Sequence, residues 1–133
     1  MSSTNESRAL LLLQSQGLIQ LDASDNLHAT VLNIAHNPKN LHFLEVDAAM
    51  LPRTLDDVDV AVINTNFALS AGLVPLRDAL VLESKDSPYA NIIAIRNGDE
   101  SRADIQALKA AMTSEKMRKY ILETYKGALL PAF

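Results

Sequence analysis

The chain has 133 residues, 48% of them apolar, with a formal net charge of −4 and no cysteine. That length corresponds to one domain or part of a larger one, and enough apolar side chain is present to bury well over half of the unfolded surface, which excludes a disordered chain. The acidic balance gives no electrostatic reason to bind nucleic acid, and the lack of thiols excludes a disulfide framework and thiolate metal sites.

No apolar run approaches the length needed to span a bilayer. The polar opening of Ser2, Ser3, Thr4, Asn5 and Glu6 does not read as a signal peptide. Ser3 and Glu6 have capping-box spacing, so a helix is predicted through Leu10, Leu11, Leu12 and Leu13, stopping at Gly17. Leu18 to Leu21 alternates as a short strand does. Asp22 to Asn26 is turn-rich. Thr30 to Ala35 fits a short helix, closed before Pro38 by the turn formers Asn37 and Asn40.

Further along, Leu41 to Val46 reads as a strand and Ala48 to Leu55 as a helix. The run VDVAVIN, with Val58, Val60, Val62 and Ile63, reads as a mostly buried strand. Thr65 to Ala71 is expected to be helical and to end at Gly72. Two more strands are expected at Ala79 to Glu83 and Ala90 to Arg96, parted by the turn Lys85-Asp86-Ser87-Pro88. After Gly98 come two amphipathic helices. Ser101 is placed to cap the first, where Ile105, Leu108 and Met112 share a face; Met117, Tyr120, Ile121 and Tyr125 do so in the second, which Gly127 ends. Strands alternating with helices give an α/β class with a largely parallel sheet. Because the chain opens directly into a capped helix, a sheet member upstream of Met1 is expected to be missing.

The polar residues give few catalytic signals. His28, His36 and His42 lack the spacing of a metal site. Asp56, Asp57 and Asp59 form a carboxylate cluster without EF-hand spacing; a solvated loop or a metal-dependent α/β enzyme are its two readings. Neither a phosphate-binding glycine motif nor GxSxG occurs.

Three positions suggest ligand binding. Asn64 ends a buried strand just before a helix, the edge at which open α/β sheets bind ligands. Arg8 lies in the first turns of a helix, where the macrodipole does not favour a cation. Asn91 heads ANIIAIR, and its amide both donates and accepts. A solvated arginine, a helix-capping asparagine and a turn-forming asparagine are the structural alternatives, and spacing alone does not bring the three together.

Four segments carry a family likeness: TNESRALLLLQSQGLIQL, NPKNLHFLEVDAAMLPRTLDDVDVAVINTNFALSAGL, ESKDSPYANIIAIRNGDE and YKGALLPAF. Together, from Thr4 to Phe133, they resemble the methionine-binding lipoproteins of the NlpA type, the substrate-binding subunits of ABC importers for D- and L-methionine. The resemblance implies a type 2 periplasmic-binding-protein fold: two α/β lobes with parallel or mixed sheets, here incomplete at the N-terminus. It places residues 1–85 in most of the second lobe and 86–133 in the returning part of the first.

It also implies that Arg8 meets the ligand carboxylate and that Asn64 and Asn91 hold the amino-acid head group, with Asn66 as a weaker candidate. The glycine usual before that arginine is Ser7 in this chain. An aromatic pocket for the thioether is expected from the segment missing upstream. No cofactor, metal or catalysis is implied. The expected partners are methionine and an ABC permease and ATPase, and the expected location is the cell envelope, with a lipid anchor in full-length members. An effector-binding domain of a transcription regulator is the competing reading. A sheet lacking a strand also exposes an edge, which predicts self-association.

Overall fold

A computed structural model describes residues 3–22, 27–84 and 89–133. Two compact units divide between Ala71 and Gly72. The expected lobe boundary at Lys85 and Asp86, the turn around it and the turn at 23–26 lie outside the described residues.

In the first unit α1 spans Ser3–Ser15 and stops where the sequence predicts. Gly17 takes φ +69°, its N–H donates to Gln14 O at 2.8 Å, and Leu18 N–H reaches back to Leu13 O at 3.1 Å. This pair of bonds is the Schellman closure, in which a left-handed residue lets the last carbonyls be satisfied. The chain then enters β1 (Gln20–Leu21), which pairs antiparallel with β2 (Ile34–His36). Gln20 faces His36 and Leu21 faces Ile34, so the register slips between them. Gln14 Oε1 accepts from Leu21 N–H at 2.7 Å, tying α1 to the hairpin.

The helix expected at Thr30 to Ala35 is instead a 3₁₀ turn, Val31–Asn33, running into β2. Asn33 Oδ1 accepts from both the N–H and the hydroxyl of Thr30, at 3.0 and 3.2 Å, and closes the turn after three residues. The β-branched Ile34 then continues as strand. Next, Asn37 bridges its loop with both ends of its amide, donating to Leu41 O and accepting from Leu41 N–H, each at 2.9 Å.

Leu10, Ile19, Leu21 and Ala29 make the buried cluster of this unit, with Leu11, Leu13, Val31, Ile34, Leu41 and Phe43 packed around it. Leu10 is 2% exposed. Leu10→Ala is expected to cost about 2–5 kcal/mol, from lost transfer energy plus the cavity left behind. Urea unfolding followed by circular dichroism measures this; a loss under about 1 kcal/mol would mean that Leu10 does not anchor the cluster.

The helix expected at Ala48 to Leu55 is reduced to a 3₁₀ turn, Leu51–Thr54. Pro52 sits in its opening positions, and a proline ring clashes with the carbonyl four residues back, so a regular helix cannot run through it. By contrast α2 (Thr65–Ser70) forms as expected, with Gly72 beyond its end at φ +79°. The strands expected at Leu41 to Val46 and at VDVAVIN are not laddered among the described residues.

The second unit begins with a short helix that the sequence reading did not foresee, α3 (Pro75–Asp78). Asp78 Oδ2 accepts from Val74 N–H at 2.7 Å, closing the turn. The Arg77 guanidinium, with that N–H, lowers the Asp78 carboxyl to about 2. The expected strands at Ala79 to Glu83 and Ala90 to Arg96 have no ladder among the described residues, and Leu80 and Ile92 are 93% and 84% exposed.

Both C-terminal helices are present: α4 (Ala103–Met112) and α5 (Glu115–Tyr125). Arg102, not Ser101, is the N-cap residue of α4, and its side chain makes no capping bond. Ser114 caps α5 by accepting from Met117 N–H at 3.2 Å. Gly127, just past α5, takes φ +83°, and a Cβ there would overlap the Leu76 side chain. The largely parallel sheet is thus corrected: the sheet formed among the described residues is the antiparallel pair β1–β2.

Candidate functional site

Helix α1 has two faces with different work. Ser7 and Leu10, three residues apart, are buried, whereas Asn5 and Arg8, also three apart, are half-buried on a polar face. Asn64 is the residue before α2, at φ −64° and ψ 137°. Its backbone carbonyl accepts from Phe67 and Ala68 N–H at 3.0 and 3.1 Å, so it starts the helix through its main chain.

The Asn64 side chain makes no capping bond to α2. Its Nδ2 instead donates to Asn5 Oδ1 at 3.4 Å, across 59 residues of sequence. This excludes the helix-capping alternative for the Asn64 amide and links the start of α2 to the polar face of α1. With Nδ2 turned to Asn5, Asn64 presents Oδ1 as an acceptor. Arg8 contributes a planar fork of donors. A guanidinium fork suits a carboxylate, and an asparagine carbonyl suits an ammonium.

Asn5 is the residue that sequence reasoning missed. Its signal was the i, i+3 spacing to Arg8, and nothing local announced Asn64 as its partner. Asn66 lies exposed on α2, where its carbonyl accepts from the Ser70 hydroxyl at 2.8 Å. Asn91 belongs to the second unit, where it is exposed. The structure therefore describes Arg8, Asn5 and Asn64 in one unit, with a hydrogen bond joining the two asparagines, and Asn91 in the other.

An open depression of about 430 Å³, lined by Gln14, Ile19, Gln20, Leu21 and His36, lies at the C-terminal end of α1, away from Arg8. His28, His36, His42, Asp56, Asp57 and Asp59 are all exposed. Among the described residues no group of three or more histidines and carboxylates is placed to hold a metal ion. No described helix is long and apolar enough to cross a membrane.

The NlpA lipoprotein family model matches residues 1–133. The chain belongs to the NlpA lipoprotein family. A nutrient-binding protein from Burkholderia cenocepacia, solved bound to methionine, is 50% identical with a TM-score of 0.81, covering 99% of this chain and 56% of that one. A periplasmic substrate-binding protein of an ABC transporter from Coxiella burnetii is 44% identical with a TM-score of 0.81, over 98% of this chain and 55% of that one. A probable D-methionine-binding lipoprotein MetQ from Vibrio cholerae is 44% identical over 124 residues, 93% of this chain and 46% of its own. The NlpA chain described here accordingly shares the mixed α/β fold of periplasmic substrate-binding proteins, and it spans about half the length of the curated relatives it matches.

Proposed function

We propose that this chain forms part of the substrate-binding component of an ABC importer, which binds methionine between two lobes and delivers it to a membrane permease and its ATPase. It is a binding protein without catalysis, working in the cell envelope, with a lipid anchor in the full-length protein. In this reading residues 1–85 belong to one lobe and 86–133 to the other, and closure of the lobes traps the ligand. The observation that carries it is the 50% identity and TM-score of 0.81 to a protein solved with methionine bound.

The Arg8 guanidinium pairs with the ligand carboxylate through two parallel hydrogen bonds, fixing charge and orientation together. The carbonyls of Asn64 and Asn91 accept from the ammonium without burying a second net charge, and Asn66 is a secondary candidate. Side-chain fit then separates methionine from other amino acids, at about 1–3 kcal/mol per methylene in an apolar pocket. The effector-domain reading gains nothing from the relatives named above, which are transport and lipoprotein components.

An amide chemical-shift titration with L-methionine, repeated with D-methionine and with leucine, tests the proposal. Shifts centred on Arg8, Asn64 and Asn91, with methionine and not leucine, are expected. Equal response to leucine, or none to methionine, would overturn it.

A further inference from the structure

Ser7 is 0% exposed, as is Ala29 opposite it. Ser7 Oγ accepts from Ala29 N–H at 3.2 Å. One residue earlier, Glu6 Oε1 accepts from Val31 N–H at 3.1 Å. Both acceptors belong to one turn of α1 and both donors to one stretch of three residues. A single bond of this kind would act as a pivot. Two bonds, from side chains about 100° apart around the helix, fix its rotation as well as its height.

Arg8 is the next residue in the same turn. Its guanidinium stands several ångströms from the helix axis, so a rotation of α1 by 10–20° moves it by roughly an ångström or more. That displacement is beyond the tolerance of about 0.5 Å within which a polar binding group works well. Building on the role proposed above for Arg8, we propose that Ser7 and Glu6 are positioning residues, a two-point clamp on residues 29–31 that holds α1 at the rotation where the Arg8 fork meets the ligand carboxylate. The clamp lies on the far side of the contact made by Asn5 with Asn64, so the polar face of α1 is set from behind. Removing the Ser7 hydroxyl leaves the Ala29 N–H without that acceptor in apolar surroundings, and the segment must shift to satisfy it.

The test compares Ser7→Ala, Glu6→Ala and Glu6→Gln with the unsubstituted chain. Three quantities are read: amide exchange at Ala29 and Val31, the Arg8 Nε–Hε resonance, and affinity for L-methionine. Ser7→Ala and Glu6→Ala should speed exchange at the amide each releases, move the Arg8 resonance and weaken methionine binding by about tenfold, with the helical circular dichroism unchanged. Glu6→Gln keeps an Oε1 acceptor and should return affinity to within about twofold, which a purely electrostatic role for Glu6 would not allow. Glu6 is half-buried at the rim of the cluster, so its variants remain readable even if Ser7→Ala fails to fold. Released amides with an unmoved Arg8 resonance and unchanged affinity would overturn the clamp, as would amides that exchange no faster. If the unsubstituted chain ignores methionine, the functional reading falls, and the clamp is then judged on the Arg8 resonance alone: movement supports it and its absence overturns it.

Discussion

Arg8→Ala is expected to abolish high-affinity methionine binding and to leave the fold nearly intact. Hydrogen bonds to a charged group contribute about 1.5–3 kcal/mol each, and the guanidinium supplies two to the carboxylate. Losing both weakens binding by about 100-fold or more, at ~1.4 kcal/mol per tenfold. Stability should change little, because Arg8 is half-buried on the polar face of α1 while Ser7 and Leu10 hold the buried face. Alanine is also the strongest helix former. Arg8→Lys keeps the charge but not the fork, and should fall between the two. A calorimetric titration with L-methionine, alongside thermal melting, separates the effects. Unchanged affinity in Arg8→Ala would remove Arg8 from the site.

The elements legible in the sequence are those whose signals are local. The end of α1 at Gly17, the span of α2 before Gly72, and the helices α4 and α5 follow from periodicity and from glycine's access to positive φ. Strands are different. The composition of VDVAVIN or ANIIAIR shows which segments favour a pleated surface, but a ladder needs a neighbour, and the neighbour is not encoded nearby. Even β1–β2 is short, and its register slip could not be read from Leu18 to Leu21 alone. Local chemistry differs from the expectation in several places: Asn33 captures Thr30 and cuts a helix to a 3₁₀ turn, Pro52 cuts another, Arg102 rather than Ser101 precedes α4, and Asp78 closes a turn on Val74 that no periodicity announces.

Much the same division holds for the site. The place of Asn64 at the start of α2 was visible, since the helix after it was. The use of its side chain was not, because a capping amide and one that bonds elsewhere look alike in sequence until the amide is seen to point at Asn5. Arg8 entered through an unfavourable position relative to the helix dipole and through the TNESRAL motif. The bonds from Glu6 and Ser7 to residues 29–31 had no signal at all, being contacts across more than 20 residues of sequence.

Concentration-dependent self-association of the chain is the second large effect expected. The segments Ala79 to Glu83 and Ala90 to Arg96 are apolar, β-branched or both at most positions, yet Leu80 and Ile92 stand almost fully exposed. Val81, Leu82, Ile93 and Ile95 are exposed as well. Scattered single apolar side chains on a surface are ordinary, but contiguous ones gain about 25 cal/mol for each Å² that association buries. Extended pairing between copies would also satisfy backbone groups that a sheet edge leaves to water. Within ANIIAIR an antiparallel self-pairing centred on Ile93 sets Ile92 opposite Ala94 and Asn91 opposite Ile95, with no like charges facing each other. Light scattering across a range of concentrations should therefore show a rising mean mass. Ile93→Lys, which places a charge at the centre of the strip and sets it opposite its own copy across the two-fold axis, should return the chain towards monomer. A strictly monomeric profile at all concentrations would show that these segments are satisfied within one chain, and the substitution would then leave the mass unchanged.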